Sequence, residues 1–197
     1  MRSVTLLSIA IASSIGWFPC SELRAEPGYK SKSGKIAFHV DTNVPFLKVS
    51  GSSSGVKGGG EASVAGDVAT IRNLRFEVDP KTFKTGIALR DQHMYEQVFT
   101  AADGSIPAII VRADRFEASR NPKSSKWEAA FQAQVTMRKV TKPVRFHASM
   151  EQKSSGAIVR AEGIVKTSNF GVKPITYSGA RVNDDVTVTV SDLRVEP

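Results

Sequence analysis

The sequence predicts an all-β fold, either an antiparallel sandwich or a closed barrel of about eight strands. Apolar residues recur at every second position through most of the chain, and short turn-forming segments separate the runs. The 197 residues, 41% of them hydrophobic, supply enough apolar side chain for one compact domain and exclude a collagen-like or disordered chain. A single Cys excludes an internal disulfide framework and zinc sites built on several cysteines.

Strands are expected at 35–41, 45–56, 62–79, 107–118, 126–138, 143–152, 157–167 and 184–195. Ile36, Phe38 and Val40 share one face of the first. Leu74, Phe76 and Val78 alternate with Arg75 and Glu77 in the third, which is expected to bend or bulge near Gly66. Phe131, Ala133, Val135 and Met137 alternate with Gln132, Gln134 and Thr136, and Val144, Phe146, Ala148 and Met150 with Arg145, His147 and Ser149. Val186, Val188 and Val190 alternate with Thr187 and Thr189. Each pattern places one face in a dry interior and the other in water. Asn121-Pro122-Lys123-Ser124-Ser125 and Lys153-Ser154-Ser155-Gly156 read as hairpin loops, and Thr141-Lys142-Pro143 as a tighter turn.

One stretch departs from this rhythm. Residues 91–99 carry Met94, Val98 and Phe99 at helical spacing, which predicts a short helix between strands three and four with Asp91 as its N-cap. The Ser/Gly-rich stretch 50–60 fits either a flexible loop or a small-residue strand that another backbone approaches closely.

The first 25 residues read as an address. Arg2 precedes a charge-free stretch over 3–21 with an apolar centre, and Ala25 stands before Glu26 and Pro27, the layout of a cleaved secretory signal peptide. Ser3, Thr5, Ser8, Ser13, Ser14, Gly16 and Pro19 dilute or break the segment and argue against a membrane anchor. Trp17, Phe18 and Pro19 before Cys20 lack the Leu and the small neighbours of a lipidated Cys. The expected mature chain, 26–197, is exported and holds no cysteine, which suits a periplasm or the extracellular space, and is expected to make no stable membrane insertion. Loss of Arg2, Glu22 and Arg24 takes its net charge from +8 to +7. Its cations, such as Lys30, Lys48, Arg75, Arg112, Lys126, Arg145, Arg160 and Lys173, are scattered, so a solvated surface is expected and no nucleic-acid partner.

The residues offer little for catalysis. His39 and His147 alternate with apolar neighbours and are expected to face water, and no His-x-His or His-x-x-x-His spacing occurs, so neither metal nor cofactor is expected. Asp91 and His93 stand two apart on the expected helix and do not face each other. There is no Gly-x-Ser-x-Gly elbow, and Gly58-Gly59-Gly60 continues into Glu61 instead of the Lys of a phosphate loop. Nothing in these residues demands an enzyme, and none is expected. Periodicity alone leaves open whether the apolar faces close on a solid core or around a small ligand.

Four segments, in order, resemble the YceI-like family of periplasmic polyisoprenoid-binding proteins. Thr85-Gly86-Ile87-Ala88-Leu89-Arg90-Asp91-Gln92-His93-Met94 is similar to the family's Arg-Asp-x-His-Leu/Met segment. Phe99 and then Ile106-Pro107-Ala108-Ile109-Ile110-Val111 resemble its Phe…Pro-x-Ile-x-Phe strand. Val135-Thr136-Met137-Arg138-Lys139-Val140-Thr141-Lys142-Pro143-Val144 resembles Leu-Thr-Leu-x-Gly-Val-Thr-Lys-Pro-Val, and Ser168-Asn169-Phe170-Gly171-Val172 resembles Ser-Asp-Phe-Gly-Ile, with Asp184-Asp185-Val186 ahead of the last strand. Lys139, Thr167 and Asn169 depart from the common Gly, Arg and Asp, and Val98-Phe99 from Phe-Phe.

The resemblance implies a lipocalin-like, eight-stranded antiparallel β-barrel whose apolar channel holds a polyisoprenoid or similar long-chain lipid for transport, storage or sequestration. Carried onto this chain, it makes Ile36, Phe38, Leu74, Phe76, Ile109, Val111, Phe131, Val135, Val144, Phe146 and Val188 the expected channel lining. Arg90, Asp91 and His93 are expected to form a polar network that fixes the barrel end. A homodimer is compatible with the reading. Two rivals are a stress-associated accessory protein or enzyme acting on an isoprenoid quinone through His93, and an outer-membrane barrel, which would need an outward apolar band and aromatic girdles.

Overall fold

A computed structural model describes residues 28–197 except 178; the leader expected over 1–25 lies outside them. The strands are β1 (Gly28–Asp41), β2 (Lys48–Ser53), β3 (Val56–Ala65), β4 (Val68–Val78), β5 (Ile109–Arg120), β6 (Trp127–Met137), β7 (Val140–Lys153), β8 (Gly156–Lys166), β9 (Thr176–Tyr177), β10 (Ala180–Arg181) and β11 (Asp185–Glu196). One helix, α1 (Ala88–Met94), runs on into a π-helical turn at Tyr95–Phe99.

The sheet closes on itself. Neighbouring strands pair antiparallel from β3 through β8, β8 pairs with β11, and β11 returns to β1 with Ile36 opposite Val190 and Phe38 opposite Val188. On the other side, β1 pairs with β2 and then with β3 in one unbroken register: Asp41 opposite Lys48, Ile36 opposite Ser53, Lys30 opposite Gly59. β2 and β3 therefore act as a single stave interrupted at Ser54-Gly55, and the barrel has eight staves. Closure gives every stave a paired neighbour on both sides and leaves only short unpaired stretches, which limits the usual route to edge-to-edge aggregation.

The Ser/Gly-rich stretch is thus a strand, and its small residues answer to crowding. A β-carbon on Gly59 would sit 1.8 Å from the Tyr29 carbonyl oxygen, and one on Gly51 2.6 Å from the Phe38 ring. Only glycine lets these neighbours approach so closely.

The expected third strand, 62–79, is two strands. Ala65 pairs with Val68 around a two-residue turn at Gly66-Asp67, with Gly66 at φ +60°. Gly-Asp between two strands is a hairpin signal in its own right. The helix consequently lies after β4, between β4 and β5, rather than between strands three and four. It also starts earlier than expected, at Ala88, with no side-chain cap on Ile87.

A second correction concerns the tight turn expected at Thr141-Lys142-Pro143. Those residues belong to β7, and the reversal is at Arg138 and Lys139, both at positive φ (54° and 66°), between the paired Met137 and Val140. Two central residues at positive φ make a type I′ hairpin, whose twist matches the strands. Pro143 is tolerated because β7 pairs with β8 only from Phe146 onward, so its missing N–H faces an unpaired edge.

Phase shifts bend the staves. In β4 the inward residues Ala69 and Ile71 give way to Leu74, Phe76 and Val78 across Asn73, at φ 51°. In β11 the inward Val186, Val188 and Val190 give way to Leu193 and Val195 across Asp192, also at φ 51°. A bulge adds one residue, so each side chain beyond it keeps its apolar face inward.

The outer wall is polar. Arg75, Glu77, Arg112, Glu117, Gln132, Arg145, His147, Arg160 and Glu162 all point outward and are exposed. An outer-membrane barrel would need an apolar band at these positions, where the described wall carries charged and polar side chains. Among the described residues no helix is long and apolar enough to cross a membrane.

Candidate functional site

The inward faces do not meet. They enclose an apolar channel of about 1310 Å³, larger than the ~300–1,000 Å³ typical of small-molecule pockets. Small side chains create part of the space: Ala148 and Ala161 pair across β7 and β8, and both line it.

One end is sealed. Trp127, 5% exposed, packs with Ala69 and Ala118 into a cluster backed by Ile71, Ala129 and Met150. The Arg120 guanidinium lies 6.0 Å from the Trp127 ring and covers the plug. Above it, Phe116, Phe131 and Phe146 form a ladder across β5, β6 and β7, with centroids 3.9 and 5.9 Å apart. The stacked rings add their apolar area to the interior and give the lower channel an aromatic wall.

The other end is open and lies beside α1. Its rim is built from the β1–β2 hairpin (Thr42, Asn43, Val44, Leu47), α1 (Leu89, Arg90, His93) and the β8–β11 connection (Thr167, Ser168, Lys173, Arg181, Asp184). Ten of the eleven residues expected to line the channel do so: Ile36, Phe38, Leu74, Phe76, Ile109, Val111, Phe131, Val135, Phe146 and Val188. Val144 faces inward but is absorbed into the packed core, because the single turn Thr167–Phe170 lies against β7 there and Phe170 is 1% exposed. Phe116, Ala148, Ala161, Lys173 and Arg181 line the channel without having been expected to. Phe116 is out of phase with Ile109 and Val111, and only a phase shift within β5 brings it inward; Lys173 and Arg181 sit in segments with no alternation to read.

Hydrogen bonds hold the rim. Asp91, expected as a helix cap, lies inside the first turn and is 7% exposed. Its carboxylate accepts from the Thr85 hydroxyl at 2.6 Å and the Thr85 amide at 2.7 Å, pinning the segment that leads into the helix. The Thr85 hydroxyl bond is the main reason the carboxyl titrates below its ordinary range, against the opposing effect of burial. The lowered value means that its stabilisation is complete at neutral pH and is lost as pH falls below about 4 toward the folded-state value. We expect Asp91→Ala to cost about 2 kcal/mol, whereas Asp91→Asn, which keeps an acceptor, costs less and flattens the acid limb of stability. Urea midpoints at neutral and acid pH check both; equal loss in the two variants would contradict the assignment.

The β8–β11 connection has a similar latch. Asp184 accepts from the Ser168 amide and hydroxyl, both at 2.6 Å, and from the Thr167 hydroxyl at 2.8 Å. Burial disfavours its ionised form, but these donors outweigh it and hold the carboxyl below its usual value. The Arg90 charge adds a smaller lowering effect on Asp91, and Arg90 and His93 both line the mouth. His39 and His147 are exposed on the outer face. Among the described residues no group of three or more His, Cys, Asp or Glu could hold a metal ion.

A family model for the YceI-like domain matches residues 29–191, which takes in the barrel, the helix at its mouth and the Asp184 latch. The chain belongs to the YceI-like family. Solved structures share the fold of this YceI-like barrel at low sequence identity. BcnA of Burkholderia cenocepacia is 13% identical, with a TM-score of 0.58 over 83% of this chain and 96% of that one. A polyisoprenoid-binding domain from Saccharophagus degradans, implicated in plant cell wall breakdown, is 11% identical, with a TM-score of 0.53 over 83% of this chain and 98% of that one. A comparison with curated proteins yields no match.

Proposed function

We propose that this YceI-like protein is exported to the periplasm, where it holds one polyisoprenoid or similar long-chain amphiphile, tail inward, for transport, storage or sequestration. The observation that carries the reading is the channel: about 1310 Å³, walled by apolar side chains, plugged at one end and open at the other. A single-mouthed apolar channel suits a molecule with one long apolar part and one polar end. Burial supplies roughly 25 cal/mol per Å² of apolar ligand surface, and several hundred Å² are needed to offset the entropy lost on association. The ladder of Phe116, Phe131 and Phe146 would receive the tail, and Arg90, His93, Lys173 and Arg181 would stand nearest the head. Binding, not turnover, is the activity we assign. The structural likeness to a polyisoprenoid-binding domain supports the ligand class.

Native mass spectrometry of protein purified gently from a periplasm, followed by organic extraction, tests this. A bound species whose mass steps by isoprene units is the expected result. A clean apo mass, with no uptake when polyprenyl lipids are titrated in, would overturn the reading.

A further inference from the structure

Exposed apolar side chains are unevenly distributed over the molecule. Five of the largest, Val44, Phe46, Leu47, Ile87 and Leu89, stand together at the open end of the barrel, on the β1–β2 hairpin and the start of α1. Four of the five also line the channel mouth, so the apolar interior continues without a break onto the outer surface.

Phe46 is the most telling. It is 101% exposed and sits at φ 65°, a left-handed conformation that is unfavourable for a bulky residue. The cause is a β-turn over Val44-Pro45-Phe46-Leu47, closed by the Leu47 amide donating to the Val44 carbonyl at 3.2 Å. Pro45 followed by a positive φ describes a type II turn, whose third position is ordinarily Gly or Asn. Here it carries a phenyl ring that packs on nothing among the described residues. Folding gains nothing from that ring, and the turn would be more stable without it; strain of this kind points to a function outside the fold.

The hairpin is also held firmly. Asn43 donates its amide to the Arg181 carbonyl at 2.9 Å and accepts the Arg181 amide on its side-chain oxygen at 2.5 Å. The Thr42 hydroxyl accepts the Val44 amide at 3.2 Å and lies 2.9 Å from the Leu47 carbonyl. The tip therefore projects as a preorganised wedge.

The charge lining the mouth beside the wedge is mainly positive. Of the charged side chains at the mouth, Arg90, Lys173 and Arg181 are cationic, and the carboxylate of the one anion, Asp184, is occupied by Ser168 and Thr167. An aromatic and aliphatic tip beside cations fits the interface of an anionic bilayer, where apolar groups enter the acyl boundary and cations meet headgroups. A second copy of the chain fits worse, since a two-fold contact through the mouth would bring the same cations together.

We propose that the open end docks on an anionic lipid bilayer, with Phe46, Leu47, Ile87 and Leu89 entering its surface and the channel mouth facing the acyl region. Cargo would then pass between bilayer and channel without crossing water. The inference rests on the lipid-holding reading for its purpose, but not for its test.

The test is flotation of natively processed protein with vesicles of equimolar phosphatidylglycerol and phosphatidylethanolamine that contain no isoprenoid. Binding is expected, weakening as salt is raised. Phe46→Asn, which suits the left-handed turn, should lower the partition coefficient at least about tenfold, and Phe46→Trp should preserve it. Val64→Asn, at an exposed apolar position near the sealed end, should leave it unchanged. No vesicle binding by the parent protein, or equal binding by Phe46→Asn, overturns the proposal. So does a parent dimer that Phe46→Asn converts to monomer in the absence of vesicle binding, which would make the mouth a self-association face. Cargo is scored separately by extraction: retained lipid without vesicle binding sinks the docking alone, and vesicle binding by a protein that never takes up lipid sinks the lipid-holding reading alone.

Discussion

Filling the lower part of the channel with Ala148→Phe and Ala161→Trp should abolish the proposed lipid retention and leave a folded barrel. The two alanines are register partners on β7 and β8, and both line the channel. New rings there enter open apolar space instead of a packed core, so the overpacking cost of ~1–3 kcal/mol that large side chains impose on full interiors does not arise. A lipid tail held as proposed would, in contrast, lose that volume. Extracted lipid per mole of protein should fall at least about tenfold, equivalent to ~1.4 kcal/mol or more, with the thermal midpoint unchanged or raised. The comparison separates channel from core: if the double variant keeps its lipid, the ligand lies elsewhere, and if it unfolds, the space was not free.

The second large effect is on stability. Gly59→Ala should destabilise the protein by more than about 4 kcal/mol, in the range reserved for a named structural conflict. Its β-carbon would lie 1.8 Å from the Tyr29 carbonyl oxygen and 2.9 Å from the carbonyl carbon. Both are backbone atoms of β1, so relief requires separating β1 from β3 where Lys30 pairs with Gly59. Gly66→Ala is the control. Nothing lies within 4 Å of a β-carbon at Gly66, and its φ of +60° leaves only the left-handed strain, about 1 kcal/mol. Denaturant midpoints for the two variants would decide. Comparable losses would show that β1 and β3 are not held together at this point.

How much of this was legible in the sequence depends on the kind of signal each residue leaves. Alternation places Phe131, Val135 and Phe146 on inward faces because a strand exposed to water on one side must be polar there and apolar opposite. The same logic places His39 and His147 outside. Alternation does not count bulges, so Phe116 is invisible as a channel residue until a phase shift turns it inward. Nor does it distinguish an inward residue that meets a ligand from one that meets another side chain, and Val144 was lost to that ambiguity. The glycine run at 58–60 signals a close approach without saying by what; Tyr29, some thirty residues earlier, is the answer only once β1 and β3 lie side by side. Thr85 and Asp91 are both in a recognisable motif, yet spacing suggests a cap within the helix, whereas the bond runs back to the segment before it.

Local chemistry alone determined that this chain alternates between water and a dry interior and that its outer wall is polar. These are properties of period and composition, and they survive any arrangement of the strands. Tertiary structure decided the rest: that β11 closes onto β1, that the apolar faces stop short of one another, that Trp127 seals one end, and that Phe46 is held out at the other. Each of these depends on distances between residues far apart in the chain. Such distances are set by register, by bulges at Asn73 and Asp192 and by closure of the whole sheet, which no window of neighbouring residues contains.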